Sequence, residues 1–247
     1  MTVENLGVTG GTYVTPVFVG FHDGTFDLFD GGSPASTELE AIAEDGNAGP
    51  LGTSFANAGF TGGTVGGGPL APGASGSRDF TIMMGANTSR LLLATMVLPT
   101  NDWFLGNGDP MGLDLSNLGA GPQTFVLDRL YDAGTEVNDF ATSAGNPLLN
   151  VPGGQLGVPN TGMTEGGNIS LVGTIQADGS VVGTGGTIAN PFSGFANLPA
   201  GFNPGLGQVR VTVTAVPEPS TVLALGAFAV GAVVTHRRRR AKKSVAK

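Results

Sequence analysis

Two short acidic stretches hold the side chains best suited to chemistry in this 247-residue chain. Pro99-Thr100-Asn101-Asp102-Trp103-Phe104-Leu105-Gly106 follows the most apolar run and contains the single Trp. Leu130-Tyr131-Asp132-Ala133-Gly134-Thr135-Glu136-Val137-Asn138-Asp139 follows a second run of strand type. Carboxylates at strand ends, on loops brought to one tip of a domain, suit a calcium ion, which takes six to eight hard oxygens at ~2.3–2.6 Å. The same pair, Asp102 and Asp132, suits the acid and base of a secreted carboxylate-dependent hydrolase. Spacing alone leaves a third alternative open, that these are solvated loop acids. Asp45-Gly46-Asn47 and Asn107-Gly108-Asp109 have calcium-like residue types, but neither extends to an EF-hand loop, and both read as turns.

Other chemistries are excluded by residue type. Cysteine is absent, which removes disulfides, zinc–thiolate sites, iron–sulfur clusters and thiol nucleophiles together. The two histidines are His22 and His236, and the second lies in the basic tail, so a Ser-His-Asp triad would have to use His22. In the run His22-Asp23-Gly24-Thr25-Phe26-Asp27-Leu28-Phe29-Asp30, His22 reads as a hydrogen-bonded structural residue, and the acids order their loop or face water. Trp103 and Phe104 read as packing residues. No glycine-rich segment precedes a Lys or a helix in the way a phosphate loop requires.

The elements that must position these groups are strands. The chain has 43 Gly and 16 Pro, with 40% hydrophobic and 12% charged residues, which disfavours long helices and is too apolar for a disordered chain. Strands are predicted at 2–8, 12–21, 79–84, 90–98, 123–131, 168–176 and 208–216, from apolar or alternating runs between glycine turns. One helix is predicted from Ser33 to Ala43, with Ser33 as cap, Pro34 at the first position and Gly46 at the end. Residues 61–76 and 145–167 read as loops. The whole implies an all-β fold, an antiparallel β-sandwich forming one domain over residues 1–216. Of 11 basic residues only Arg78, Arg90, Arg129 and Arg210 precede position 217. Against 18 acidic groups there, they leave the body at −14, a charge that repels phosphate backbones and excludes nucleic acid as a partner.

Residues 217–247 are organised differently. Val216-Pro217-Glu218-Pro219-Ser220 is stiff and extended, because each Pro fixes φ and removes a donor. The uncharged run Thr221 to Thr235 follows, and then the basic cluster Arg237, Arg238, Arg239, Arg240, Lys242 and Lys243. Fifteen helical residues span roughly 22 Å, short of a ~30 Å hydrocarbon core unless the bilayer thins and Arg side chains snorkel. The predicted transmembrane helix places its basic end in the cytoplasm and the acidic body outside. This order closely resembles the PEP-CTERM sorting signal of Gram-negative envelopes. The resemblance implies an exosortase as processing partner, transient residence in the inner membrane, and delivery to the cell surface or an extracellular matrix. The opening MTVENLGVTGG has no apolar leader of the kind an exported chain carries, and a start codon placed too late is the expected reason.

The body also resembles a family. HDGTFDLFD at 22–30, Pro34-Ala35-Ser36, and Leu39-Glu40-Ala41-Ile42-Ala43-Glu44-Asp45-Gly46 look like the bacterial spondin domain. PTNDWFLG is similar to the "PSPDWFVG" loop of animal spondins, and LYDAGTE to their "YDAGTD" segment. The resemblance is best over residues 2–140. It implies a non-catalytic adhesion or matrix module with a sandwich fold akin to calcium-dependent lipid-binding domains. It also implies calcium held by Asp102 and Asp132, with Glu136 in place of the animal Asp. A further animal ligand, a Glu one strand earlier, has no clear counterpart, and Asp79 is the acid that region offers. Exopolysaccharide or another surface protein is the implied partner.

Overall fold

Apolar runs interrupted by glycine turns fold into antiparallel sheet, as the sequence predicts. The computed structural model describes residues 1–138, 163–193 and 205–216. In chain order its strands are β1 (Thr2–Asn5), β2 (Tyr13–Val14), β3 (Val17–His22), β4 (Thr61–Val65), β5 (Ser75–Ser77), β6 (Arg90–Leu98), β7 (Trp103–Gly106), β8 (Gln123–Leu127), β9 (Arg129–Asp132), β10 (Ser170–Ile175), β11 (Val181–Gly183), β12 (Gly186–Ile188) and β13 (Val209–Val213). Helices α1 (Thr37–Asp45) and α2 (Gly49–Asn57) lie between β3 and β4. One sheet has the order β5-β1-β13-β8, and the other runs β12-β11-β10-β9-β7-β6-β3-β4 with β2 also on β6.

The centre of the long sheet is buried on both sides, as the side-chain alternation of β6 and β7 shows. In β6, Leu91, Leu93 and Val97 join one apolar cluster while Leu92 and Ala94 join another. Strand β7 repeats the division, Trp103 and Leu105 on one side and Phe104 on the other. The first cluster includes Val3, Leu127, Val209 and Val211 of the four-stranded sheet, and the second includes Leu39, Ile42, Leu51 and Phe55 of the helices. A strand covered on both faces needs apolar residues at every position rather than every second one, which accounts for LLLATMVL.

Several sequence expectations are corrected. Residues 79–84 form no strand, and the predicted loop 61–76 contains β4 and β5. Trp103–Gly106 is strand, not loop, because β7 is covered by β6 on one edge and β9 on the other. The predicted strand 123–131 is two strands in different sheets, broken at Asp128. Helix α1 starts later, with Ser36 as the cap accepting from Leu39 N–H, and ends as predicted at Gly46, whose φ is +63°. Helix α2 has no capping side chain and carries Gly49, Gly52 and Pro50, so composition hid it, and burial of Leu51 and Phe55 holds it.

The chain divides into two units, Met1–Val213 and Thr214–Lys247. Of the second, residues 214–216 are described, and Val216 is exposed. The expected span Thr221 to Thr235, the residues Pro217 to Ser220 and the basic tail lie outside the described residues. Among the described residues no helix is long and apolar enough to cross a membrane.

Helix α2 seats Phe55 directly over Gly20 of β3, where a Cβ would stand 2.4 Å from the ring. Gly20→Ala is therefore expected to cost about 1–3 kcal/mol of stability through overpacking. In a double-mutant cycle by urea denaturation, Phe55→Leu should recover part of that loss. Purely additive losses would show that ring and glycine are not in conflict.

Candidate metal centre

The turn between β6 and β7 delivers Asp102. Thr100 fixes it: its hydroxyl donates to Val97 O and accepts from Trp103 N–H. Asp102 follows with no exposed surface. On the neighbouring hairpin, β9 ends at Asp132, paired with Ser170 of β10 and with Trp103 of β7. The backbone then turns at Gly134, whose φ is +67° and where a Cβ would lie 2.8 Å from Asn168 O. Only glycine meets both demands without strain. Past the turn, residues 135–137 pair with 163–165: Glu165 N–H donates to Thr135 O and Val137 N–H to Met163 O.

This geometry converges three carboxylates. One oxygen each from Asp102, Asp132 and Glu165 lie within 4.8 Å of one another. Asp102 Oδ2 accepts from Thr135 N–H (3.0 Å), Glu136 N–H (3.1 Å) and Thr135 Oγ1 (3.4 Å). Asp132 Oδ2 accepts from Trp103 Nε1 (3.1 Å) and Asn138 Nδ2 (2.7 Å), and Asp132 Oδ1 from Gly134 N–H (2.8 Å). Each aspartate is thus locked in one orientation by neutral donors. No Arg or Lys among the described residues forms an ion pair with them; the pairs found there are Arg90–Asp114 and Arg210–Glu4.

Uncompensated charge has the expected electrostatic result. Burial pushes the Asp102 carboxyl up to about 8, the Asp132 charge adds to this, and the backbone N–H groups of Glu136 and Thr135 oppose it. Glu165, though exposed as a residue, is also raised, first by partial burial of its carboxyl and then by Asp132. Two like charges this close repel by roughly 3 kcal/mol at an effective dielectric of ~20. A further sign of an incomplete site is that Asp102 Oδ1, Asn101 Oδ1 and Asn138 Oδ1 are buried without a hydrogen-bond partner among the described residues. Oxygens alone, three of them carboxylate, are the donor set of a hard cation and a poor one for soft transition metals.

Of the residues expected from sequence, Asp102 and Asp132 are brought together. Glu136 is buried beside them, donating its N–H to Asp102 and adding its charge to the field there. Asp79 is exposed, two residues beyond β5, and is not in the cluster. Glu165 was not anticipated, because it falls inside the stretch read as loop. The available signal was its position just before a predicted strand that had to pair with the one carrying Asp132. Trp103 is a packing residue as expected, stacked on Phe192, and also orients Asp132.

A mostly antiparallel β domain with a buried, converging acid cluster is the class of protein these observations define. The Spondin_N family model matches residues 11–147, more than half of the chain, and the chain belongs to that family. The PEP-CTERM protein-sorting motif matches residues 215–240, marking an exported protein directed to the cell surface with exosortase as its processing partner. No curated protein matches the chain.

Because Asp102 titrates near 8 when folded against 3.8 as its ordinary value, the cation-free folded state holds a proton that the unfolded state releases. Its contribution is full below about pH 4 and is lost as pH rises through about 8. Asp102→Asn should therefore stabilise the cation-free chain at pH 8 and flatten the decline between pH 5 and 8, measured by urea midpoints. An unchanged decline in Asp102→Asn would disprove the raised carboxyl.

Proposed function

We propose that this protein is a non-catalytic cell-surface or extracellular-matrix module, an adhesion or binding domain built around a calcium site. The observation that carries the reading is the convergence of Asp102, Asp132 and Glu165 without a cationic partner among the described residues. These three would hold the ion, with Glu136 adding negative charge behind them. The ion supplies the positive charge that the cluster lacks. It would tie the β6–β7 turn to the β9–β10 hairpin, elements far apart in sequence. A β-sandwich of the kind seen in calcium-dependent lipid-binding domains is the architecture we assign, supported by the apolar cluster that draws residues from both sheets.

Sorting through the C-terminal signal fits the same role. The apolar run would hold the chain in the inner membrane until exosortase acts, releasing the body to the surface or matrix. Exopolysaccharide or another surface protein is the partner class we assign.

One observation favours a hydrolase: a carboxyl near 8 is suited to acid catalysis at neutral pH. Two features favour the ion instead. The cluster's oxygens are under 4.8 Å apart, closer than the ~5–9.5 Å between paired carboxyls of glycoside hydrolases. Asp102 also has no surface exposed to a substrate.

Calcium at 100 times its dissociation constant should stabilise the intact chain by about 2.7 kcal/mol, several degrees in melting temperature. The rise should be reversed by a chelator, lost in Asp102→Ala and reduced in Glu165→Gln. The same chain should adhere to purified matrix or whole cells. No calcium-dependent shift would reject the metal site, and no adhesion would reject the adhesion role.

A further inference from the structure

A cavity of about 630 Å³ opens where β8 passes into β9, and Asp102, Asp132 and Glu165 are not among its lining residues. Its volume is that of a small-molecule site. The lining residues that matter are Phe29, Asp30, Asp109, Asp128, Arg129 and Tyr131.

Asn107 in the lining is engaged with Leu91, Leu93 and Asp109, but the charged groups there are largely unspent. Of the four arginines before residue 217, Arg78 donates to Thr64 O and lies over Phe80, Arg90 pairs with Asp114, and Arg210 pairs with Glu4. Arg129 is exposed and has no partner among the described residues. The carboxylates of Asp30 and Asp128 accept no hydrogen bond there either, and Asp109 uses Oδ1 for Met111 N–H. Donor and acceptor groups therefore line the same cavity as an apolar wall, where Val126 and Leu171 are 43% and 45% exposed.

Charge and spacing restrict the ligand. One Arg and three carboxylates line the cavity, and neighbouring Asp27 is itself held above its ordinary range by burial and by the charges of Asp30 and Asp109. An anion would be repelled. A metal ion is disfavoured because, among the described residues, these carboxylates do not converge as the Asp102 cluster does. Separated carboxylates and a guanidinium around apolar surface suit a neutral molecule with hydroxyls along its edges and C–H groups on its faces.

We propose that this cavity binds a neutral oligosaccharide, with Asp30, Asp109, Asp128 and Arg129 on its hydroxyls and Phe29, Tyr131, Val126 and Leu171 on its apolar faces. The proposal rests on the adhesion reading and names the glycan class that the surface module would hold.

The test is titration calorimetry of the intact chain with β-1,4-linked tetrasaccharides of glucose, mannose and N-acetylglucosamine, and with an oligogalacturonate as anionic probe. At least one neutral tetrasaccharide should bind, and Arg129→Ala and Asp128→Ala should each weaken it about tenfold, as expected for a lost charged hydrogen bond. Gly31 lines the cavity, and a Cβ there would meet no atom within 4 Å. Gly31→Trp should therefore obstruct the cavity and abolish binding while the calcium-dependent shift in melting temperature persists. Binding of no neutral tetrasaccharide, of the oligogalacturonate alone, or equally in Gly31→Trp would overturn the proposal. If the chain adheres to cells but binds no tetrasaccharide, the cavity fails and the adhesion reading stands. If it binds a tetrasaccharide but adheres to nothing, the cavity stands and adhesion fails.

Discussion

The carboxylate of Asp102 is buried completely, within 4.8 Å of two other acids and, among the described residues, with no Arg or Lys paired to it. Burying a charge is costly unless it is paired and hydrogen-bonded. Here the backbone meets part of that demand: the N–H groups of Thr135 and Glu136 both point at Asp102 Oδ2. They can do so only because Gly134 turns the chain at positive φ, against the backbone of Asn168. The remaining demand shows as a carboxyl pushed up to about 8 and as an Oδ1 without a partner among the described residues. An electrostatic deficit of this kind is what a bound cation removes.

The rest of the domain serves to make that arrangement rigid. Strands β6, β7 and β9 are neighbours in one sheet, and their alternate side chains are packed into two separate apolar clusters. Helices α1 and α2 cover one face, and residues of the four-stranded sheet join the cluster on the other. A strand clamped on both sides cannot shift register by one residue without turning its apolar set the wrong way. The turn bearing Asp102 and the strand end bearing Asp132 are therefore held together by strand pairing and apolar packing, against the mutual repulsion of their carboxylates. Trp103 joins the two functions, its ring stacked on Phe192 in the core and its N–H on Asp132.

Much of this was legible residue by residue. Continuous apolarity placed β6 within its observed bounds, alternation placed β13, and the acids following β6 and within 130–136 identified two members of the cluster. Where reading failed, the signal was not local. Strand β7 is short and preceded by Pro99, Asn101 and Asp102, all turn formers, and becomes strand because β6 and β9 flank it. Glycine-rich β4 has little β propensity, yet pairs with β3 over five residues. Helix α2, with its two glycines, is held by Phe55 packing among Phe18, Phe26 and Phe60.

By itself the sequence determined which chemistries were open. No cysteine, one histidine in the body, a charge of −14 before residue 217 and a Pro-Glu-Pro, apolar, basic order at the end are properties of composition and order, independent of folding. It also determined Gly46 as a helix stop, whereas the cap it indicated, Ser33, gave way to Ser36. Only the tertiary structure decided which acids meet. Glu165 joins Asp102 and Asp132, Asp79 does not, and Glu136 contributes its backbone N–H. The physical reason is that strand pairing depends on contacts between residues distant in the chain, whose closure entropy depends only weakly on how far apart in sequence they lie. Carboxylates 30 or 60 residues apart can therefore share a site as readily as neighbours, and spacing in sequence does not reveal which ones do.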